Sequence, residues 1–207
     1  MNRAVEGATT PTRPSARRKV ARLATEVLAP APIAAALLVA VAWRSASGTA
    51  QGAGWALLAV LIVILVPLLY VVRGVRRRRF SDHHVGVREQ RPLPLLVGVA
   101  SVLIAWALLA AAGAPRDLVA LVGAMAVGLS ASLLVTLVWK ISVHAAVSAG
   151  AVVILVLSFG PALLILASLA VLVGWARVEL GDHTPPQVVT GAGLGAFVAA
   201  TIFTLLR

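Results

Sequence analysis

AAVSAGAVVILVLSFGPALLILASLAVLVGW, residues Ala145–Trp175, is an apolar stretch without a single charged residue. A transmembrane helix needs about 20 apolar residues, so these residues are too many for one helix of ordinary tilt. Phe159-Gly160-Pro161 lies in the middle of the stretch, and proline cannot continue a helix while glycine weakens one. The pattern therefore predicts two membrane helices joined by a tight turn.

Further apolar runs on either side of this stretch predict more membrane spans. The whole chain is 60% hydrophobic and 12% charged, with a mean hydropathy of +0.99. A soluble domain of this size has too little interior to bury so much apolar surface. We expect an all-α, polytopic transmembrane helix bundle of seven spans, or six if the first run is only partly inserted. The remaining runs are Pro30–Trp43, Gly54–Val72, Leu93–Ala112, Leu118–Trp139 and Pro185–Leu206.

Residues 1–26 differ in composition from the transmembrane domain, residues 27–207. Met1–Arg13 is polar and rich in Thr, Pro and Arg, which predicts a disordered tail. Ser15–Leu28 places Val20, Leu23 and Val27 at helical spacing beside four basic residues. This pattern fits either a short amphipathic helix at the membrane surface or a basic flank that stops translocation.

The formal net charge of +11 comes from basic residues that cluster beside the apolar runs. Such clusters encode membrane orientation, whereas a nucleic-acid site is built as a basic groove, so we expect no nucleic-acid partner. The run Arg76–Arg79 and the basic tail predict that the charged loops face the cytoplasm. The same cations would attract anionic lipid headgroups. The chain has no cysteine, which excludes disulfides, thiolate metal sites and a cysteine nucleophile.

The residues best suited to catalysis or phosphate binding also fall in the charged loops. Arg91 precedes the third span, Ser142 and His144 open the fifth, and Arg177 and His183 lie between the sixth and the seventh. If these loops meet, they bring cations and imidazoles together with few carboxylates. Arginine offers a planar fork of donors to phosphate oxygens, and helix N-termini offer unpaired N–H groups. The collection therefore suits a phosphate group.

The spacing of these residues resembles the motifs of the type 2 phosphatidic acid phosphatase superfamily. Its membrane members carry K-x6-R-P, then P-S-G-H, then S-R-x5-H-x3-D. Here Arg91-Pro92 matches the first motif with His84 at the lysine position, ISVH matches the second, and ARVELGDHTPPQ matches the third. The resemblance covers residues 80–206, which would form the phosphatase-type helical core.

The resemblance implies a role for each matched residue. His183 would be the nucleophile that accepts the phosphoryl group, and His144 the general acid that protonates the leaving oxygen. His84, Arg91, Ser142 and Arg177 would bind the phosphate. Histidine can serve as nucleophile and as acid near neutral pH, and cationic side chains would replace a metal, so we expect no metal and no cofactor.

The motifs depart from the family pattern at four positions: His84 for lysine, Val143 for glycine, Ala176 for serine and Gln187 for aspartate. An aspartate at position 187 would orient the nucleophilic histidine and balance its positive charge. The amide of Gln187 can accept the ring N–H without supplying that charge. Glu179 and Asp182 are nearby carboxylates that could substitute for it.

Gln187 also has a structural interpretation. In Thr184-Pro185-Pro186-Gln187, Thr184 fits an N-cap with glutamine three residues later and proline at the first helical position, which predicts a capping box. The two roles of Gln187 are compatible.

We therefore expect an integral membrane phosphatase that hydrolyses a lipid phosphate or a polyprenyl (di)phosphate, with its site at the cytoplasmic face. A catalytically silent relative that binds phosphorylated lipid or a membrane partner is the alternative suggested by the altered motif positions. A prenyl transferase is a third hypothesis, suggested by the charged loop before Arg91-Pro92. The chain lacks the paired aspartate-rich motifs that would hold magnesium in such an enzyme, which argues against it.

Overall fold

The computed structural model of the chain describes residues 15–79, 90 and 92–207, and within these residues every regular element is helical. The all-α prediction is therefore confirmed. In this part of the chain, eight helices follow one another, with a π-helical turn in α3 (Leu61–Leu65), a 3-10 start in α7 (Pro161–Leu166) and a π-helical turn in α8 (Ala199–Phe203). They are α1 (Ala16–Val27), α2 (Pro30–Ser45), α3 (Thr49–Arg76), α4 (Pro92–Ala111), α5 (Arg116–Val138), α6 (Val143–Phe159), α7 (Pro161–Glu179) and α8 (Pro185–Leu206).

Five of these helices, α3, α4, α5, α7 and α8, are long and apolar enough to cross a membrane. The pair α1 and α2 would provide a sixth span, although the two helices meet at an angle of 43°. Helix α6 is apolar but has only 17 residues. By length and composition, the described residues therefore provide five candidate spans, or six if α1 and α2 form one span, which reaches the lower of the two predicted numbers.

The predicted break inside Ala145–Trp175 is confirmed. Helix α6 ends at Phe159. Gly160 follows with φ of +109°, a backbone conformation that residues with a Cβ rarely adopt. Pro161 then begins α7 with a 3-10 turn. The chain thus reverses at one glycine, so α6 and α7 lie side by side.

An ion pair and hydrogen bonds identify which helix ends lie together. Arg207, at the end of α8, pairs with Asp117 near the start of α5 at 3.7 Å and donates to the carbonyl of Leu157 near the end of α6 at 3.0 Å. At the opposite end, the backbone N–H of Ser142, just before α6, donates to the carbonyl of Gln187 in the first turn of α8 at 3.2 Å. The starts of α6 and α8 therefore meet at one end of the bundle.

Helix α1 spans Ala16–Val27, inside the stretch Ser15–Leu28 for which the sequence left open a short amphipathic helix or a basic flank. It packs on α7 through a small core of its own, separate from the main core built by α2 to α6 and α8. The tail before Ser15 lies outside the described residues.

Glycines allow α6 and α8 to approach each other at backbone distance. A Cβ added at Gly191 would meet the carbonyl oxygen of Ser142, and one added at Gly195 would overlap the carbonyl oxygen of Ala146. On the facing helix, a Cβ at Gly150 would lie 3.1 Å from the carbonyl oxygen of Gly195. Gly191 and Gly195 are four residues apart, which is the small-xxx-small spacing of close membrane helix pairs.

We predict that Gly195→Ala separates the two helices and destabilises the protein. The added methyl group would overlap backbone, which cannot move away as a flexible side chain can, so we expect a loss of about 1–3 kcal/mol or more. Gly193→Ala is the matched control, because nothing lies within 4 Å of a Cβ at that position of the same helix. Thermal unfolding in detergent, followed by tryptophan fluorescence, would measure both variants. Equal melting temperatures for Gly195→Ala and Gly193→Ala would contradict the packing described here.

Candidate functional site

His183 lies in the turn between α7 and α8, at the end of the bundle where the starts of α6 and α8 meet. Gly181 has φ of +76°, and the backbone N–H groups of Asp182 and His183 both donate to the carbonyl oxygen of Arg177, at 3.1 and 3.2 Å. These bonds fix the turn on the last part of α7. The His183 residue is buried, with 5% of its surface exposed, so its imidazole belongs to the interior of the bundle.

Gln187 holds the imidazole of His183 from the first turn of α8. Its side-chain Oε1 accepts from the backbone N–H of Thr184 at 3.1 Å and lies 3.2 Å from His183 Nδ1. Thr184 and Gln187 also form the predicted capping box. Because the backbone N–H can only donate, the amide atom that faces it is the oxygen. Nδ1 of His183 is then the donor in the second contact.

This contact determines the tautomer of His183. A neutral imidazole protonated at Nδ1 carries its lone pair on Nε2. Nε2 is therefore the atom of His183 that can attack an electrophile or accept a proton. Gln187 thus combines in one oxygen the capping role and the orienting role that the sequence predicted.

Ser142 and His144 form the opposite side of the site at the start of α6. Ser142 is the N-cap residue, and its Oγ accepts from the backbone N–H of Ala145 at 3.4 Å. Ser142 is fully buried and His144 is 7% exposed. The bond from Ser142 N–H to the Gln187 carbonyl joins this helix start to the one beside His183.

Arg177 is placed differently from a simple phosphate clamp. Its side chain is 3% exposed, and Nη1 lies 3.0 Å from Oδ2 of Asp182, which is at the surface of the same turn. Asp182 therefore orients Arg177, a pairing that the sequence analysis did not predict. Glu179 pairs with Arg17 of α1 at 2.7 Å. Both carboxylates considered as replacements for the missing aspartate are thus paired with arginines, while Gln187 contacts His183.

Two of the sequence departures have a structural setting. Ala176, at the serine position of the motif, is completely buried against Ala21 and Ala24 of α1. A serine hydroxyl at this position would lie in an apolar contact, so alanine suits the docking of α1. Val143, at the glycine position, lies on the wall of a cavity beside His144.

That cavity has a volume of about 600 Å³, and both His144 and His183 lie on its wall. The rest of the wall is almost entirely apolar and comes from α2, α3, α4, α5, α6 and α8, with Glu26 at the end of α1 and Ser132 of α5 as further polar members. The two histidines therefore lie on the wall of an apolar chamber within the membrane bundle. Apolar residues lining it include Leu37, Val63, Pro94, Leu121, Ala124, Met125, Leu129, Ala151, Ile154 and Val198.

His84 and Arg91, the predicted phosphate ligands of the first motif, lie outside the described residues. Among the described residues, no group of three or more His, Asp or Glu side chains could hold a metal ion. The described part of the site therefore consists of His144, His183, Gln187, Ser142 and Arg177, the last held by Asp182.

We predict that Gln187→Leu destabilises the protein and that Gln187→Glu does not. Leucine removes the acceptor of two N–H groups, at a cost of about 1–2 kcal/mol. Glutamate keeps the length, the acceptor oxygen and a favourable capping residue. Thermal unfolding of the two variants beside the wild type would measure the difference. An unchanged melting temperature for Gln187→Leu would show that the two bonds contribute nothing to stability.

Comparison with known protein families gives a match, which includes the turn between α7 and α8. Residues 140–207 match the model of the PAP2 superfamily. The matched segment begins just before Ser142 and contains His144, Arg177, His183 and Gln187. The match covers about the last third of the chain and agrees with the resemblance that the second and third motifs indicated. No curated protein and no solved structure gives a significant match to the chain.

Proposed function

We propose that this chain is a membrane phosphatase of the PAP2 superfamily and that it hydrolyses a lipid phosphate through a phosphohistidine at His183. The observation that carries the proposal is the contact between Gln187 Oε1 and His183 Nδ1, which directs the Nε2 lone pair away from the helix start. His144 lies on the wall of the same cavity. A nucleophile and a second imidazole at one site are the groups that a two-step phosphoryl transfer needs.

In the first step, Nε2 of His183 attacks phosphorus, and the bond between phosphorus and the lipid oxygen breaks. His144 in its protonated form gives its proton to that oxygen, so the lipid leaves as an alcohol. In the second step, neutral His144 takes a proton from water, whose oxygen attacks phosphorus as the P–N bond breaks. Inorganic phosphate leaves, and both histidines return to their initial protonation states.

The transferred phosphoryl group carries negative charge on its equatorial oxygens, which must be neutralised. Arg177, oriented by Asp182, and the start of α6 capped by Ser142 would supply donors and positive potential. Arg91 and His84 would add to this group. Gln187 would accept the Nδ1–H throughout, although its neutral amide gives less stabilisation to an imidazolium than a carboxylate would.

The apolar cavity favours a lipid as the substrate. A soluble phosphate ester would leave most of this cavity of about 600 Å³ empty, whereas an acyl or prenyl chain would cover its apolar wall. The excess of basic residues in the charged loops favours a site at the cytoplasmic face. Suitable substrates are therefore lipids phosphorylated on the inner leaflet, such as phosphatidic acid, phosphatidylglycerol phosphate or a polyprenyl-linked phosphate.

A catalytically silent lipid-binding protein is the second candidate, and the neutral Gln187 is the observation in its favour. In a serine-protease triad, replacing the orienting aspartate by asparagine lowers kcat about ten-thousand-fold. A comparable loss here would leave binding of the phosphorylated lipid without measurable turnover.

We expect the purified protein in detergent to release phosphate from phosphatidic acid in the presence of a metal chelator. His183→Gln should reduce the release to background, because glutamine keeps polarity but offers no nucleophilic nitrogen. Colorimetric phosphate release would measure both. If neither protein releases phosphate, Gln187→Glu separates the two candidates. Turnover restored by the added carboxylate supports the silent-binder candidate for the natural chain. Continued inactivity with a panel of lipid phosphates contradicts a hydrolytic site.

A second prediction concerns the cavity. Ala124→Leu adds volume to its wall and should lower kcat/KM about tenfold for a long-chain lipid phosphate while leaving a short-chain analogue nearly unaffected. Ala107→Leu makes the same change on the exposed surface of α4 and should affect neither substrate. An equal loss with both chain lengths in Ala124→Leu would show that the lipid chain does not occupy the cavity.

A further inference from the structure

Helix α1 presents three different faces along its length. One face, centred on Ala21, Ala24 and Thr25, is buried. With about 100° per residue, a second face carries Val20, Leu23 and Val27, and a third carries Arg18, Lys19 and Arg22. The buried face packs on α7, whereas the other two faces are exposed.

The contacts of α1 fix its position along α7. Arg17 in its first turn pairs with Glu179, the last residue of α7, at 2.7 Å, and its guanidinium lies over the ring of Trp175 at 5.6 Å. Ala21 and Ala24 pack one to two turns further along, beside Ala176. Helix α1 therefore starts beside the last residue of α7 and packs on the final turns of that helix.

The exposed apolar side chains are large for a surface in water. Val20 is 53% exposed, Leu23 65% and Val27 59%. Together they form a continuous stripe at helical spacing. Because α7 is long and apolar enough to cross a membrane, a stripe beside its final turns is available for lipid to cover.

The third face carries an excess of positive charge. Arg18, Lys19 and Arg22 are exposed, and Glu26 is the acidic side chain on the same face. Arg17 is already paired with Glu179 and is not part of this face. Three cations beside an apolar stripe complement an anionic headgroup layer that lies above acyl chains.

We propose that α1 binds the anionic surface of the bilayer, with Val20, Leu23 and Val27 inserted at the acyl boundary and Arg18, Lys19 and Arg22 among the phosphate groups. The buried face stays on α7, so the helix links the lipid surface to the segment that carries Arg177. This inference is independent of hydrolysis, because none of its residues belongs to the candidate catalytic group.

The absence of cysteine allows a single probe to test the proposal. The full-length Leu23→Cys protein, labelled with an environment-sensitive dye, would be placed in nanodiscs of phosphatidylcholine alone or of phosphatidylcholine with phosphatidylglycerol. Quenching by brominated lipid would report insertion. Near an anionic surface each basic side chain contributes about 1 kcal/mol, or about fivefold. We expect phosphatidylglycerol to shift the equilibrium toward the inserted form at least about tenfold.

Two charge variants make the test specific. In the labelled protein, Arg18→Gln, Lys19→Gln and Arg22→Gln together should remove the effect of phosphatidylglycerol. The matched control removes the same number of charges from the exposed end of α3, through Arg76→Gln, Arg77→Gln and Arg79→Gln, and should keep the effect. A probe at position 23 that stays in water in every nanodisc would overturn the proposal. So would an effect of phosphatidylglycerol that persists in the α1 charge variant.

Discussion

The close approach of α6 and α8 is the constraint on which the site depends. In lipid, helices gain little from burying apolar side chains against each other, so association relies on close packing. Gly191 and Gly195 allow α8 to touch the backbone of α6 at Ser142 and Ala146. The helix starts that carry His144 and the turn with His183 are consequently held at the same end of the bundle.

Gln187 joins this packing to the chemistry of the site. Its carbonyl accepts from Ser142 at the start of α6, and its side-chain oxygen accepts from Thr184 and from the ring of His183. One residue therefore caps α8, connects α8 to α6 and selects the tautomer of the proposed nucleophile. The amide oxygen meets these geometric requirements, but it lacks the negative charge that an aspartate would bring.

The apolar runs and the break at Gly160 could be predicted from the sequence because hydropathy and backbone restriction act locally. The residues His144, Arg177, His183 and Gln187 could also be picked out from the sequence, because their spacing resembles a known motif. The pairing of Arg177 with Asp182 was not predicted, because it depends on a turn at Gly181 with φ of +76°. The cavity and the docking of α1 on Ala176 required the helices to be packed, and the period of apolar residues says little about packing when nearly every face is apolar.

In the proposed mechanism, His183 carries the phosphoryl group of a covalent intermediate. Identifying the residue that carries this group tests the mechanism most directly. The wild-type protein would be mixed with lipid phosphate radiolabelled on its phosphoryl group, quenched in alkali to preserve phosphohistidine, and digested for mass spectrometry. We expect the label on the peptide that contains His183 in the wild type. We expect no label on this peptide in Gly195→Ala, where the helix pair no longer holds the site together. Phosphate release without any labelled His183, or with label on another residue, would contradict it.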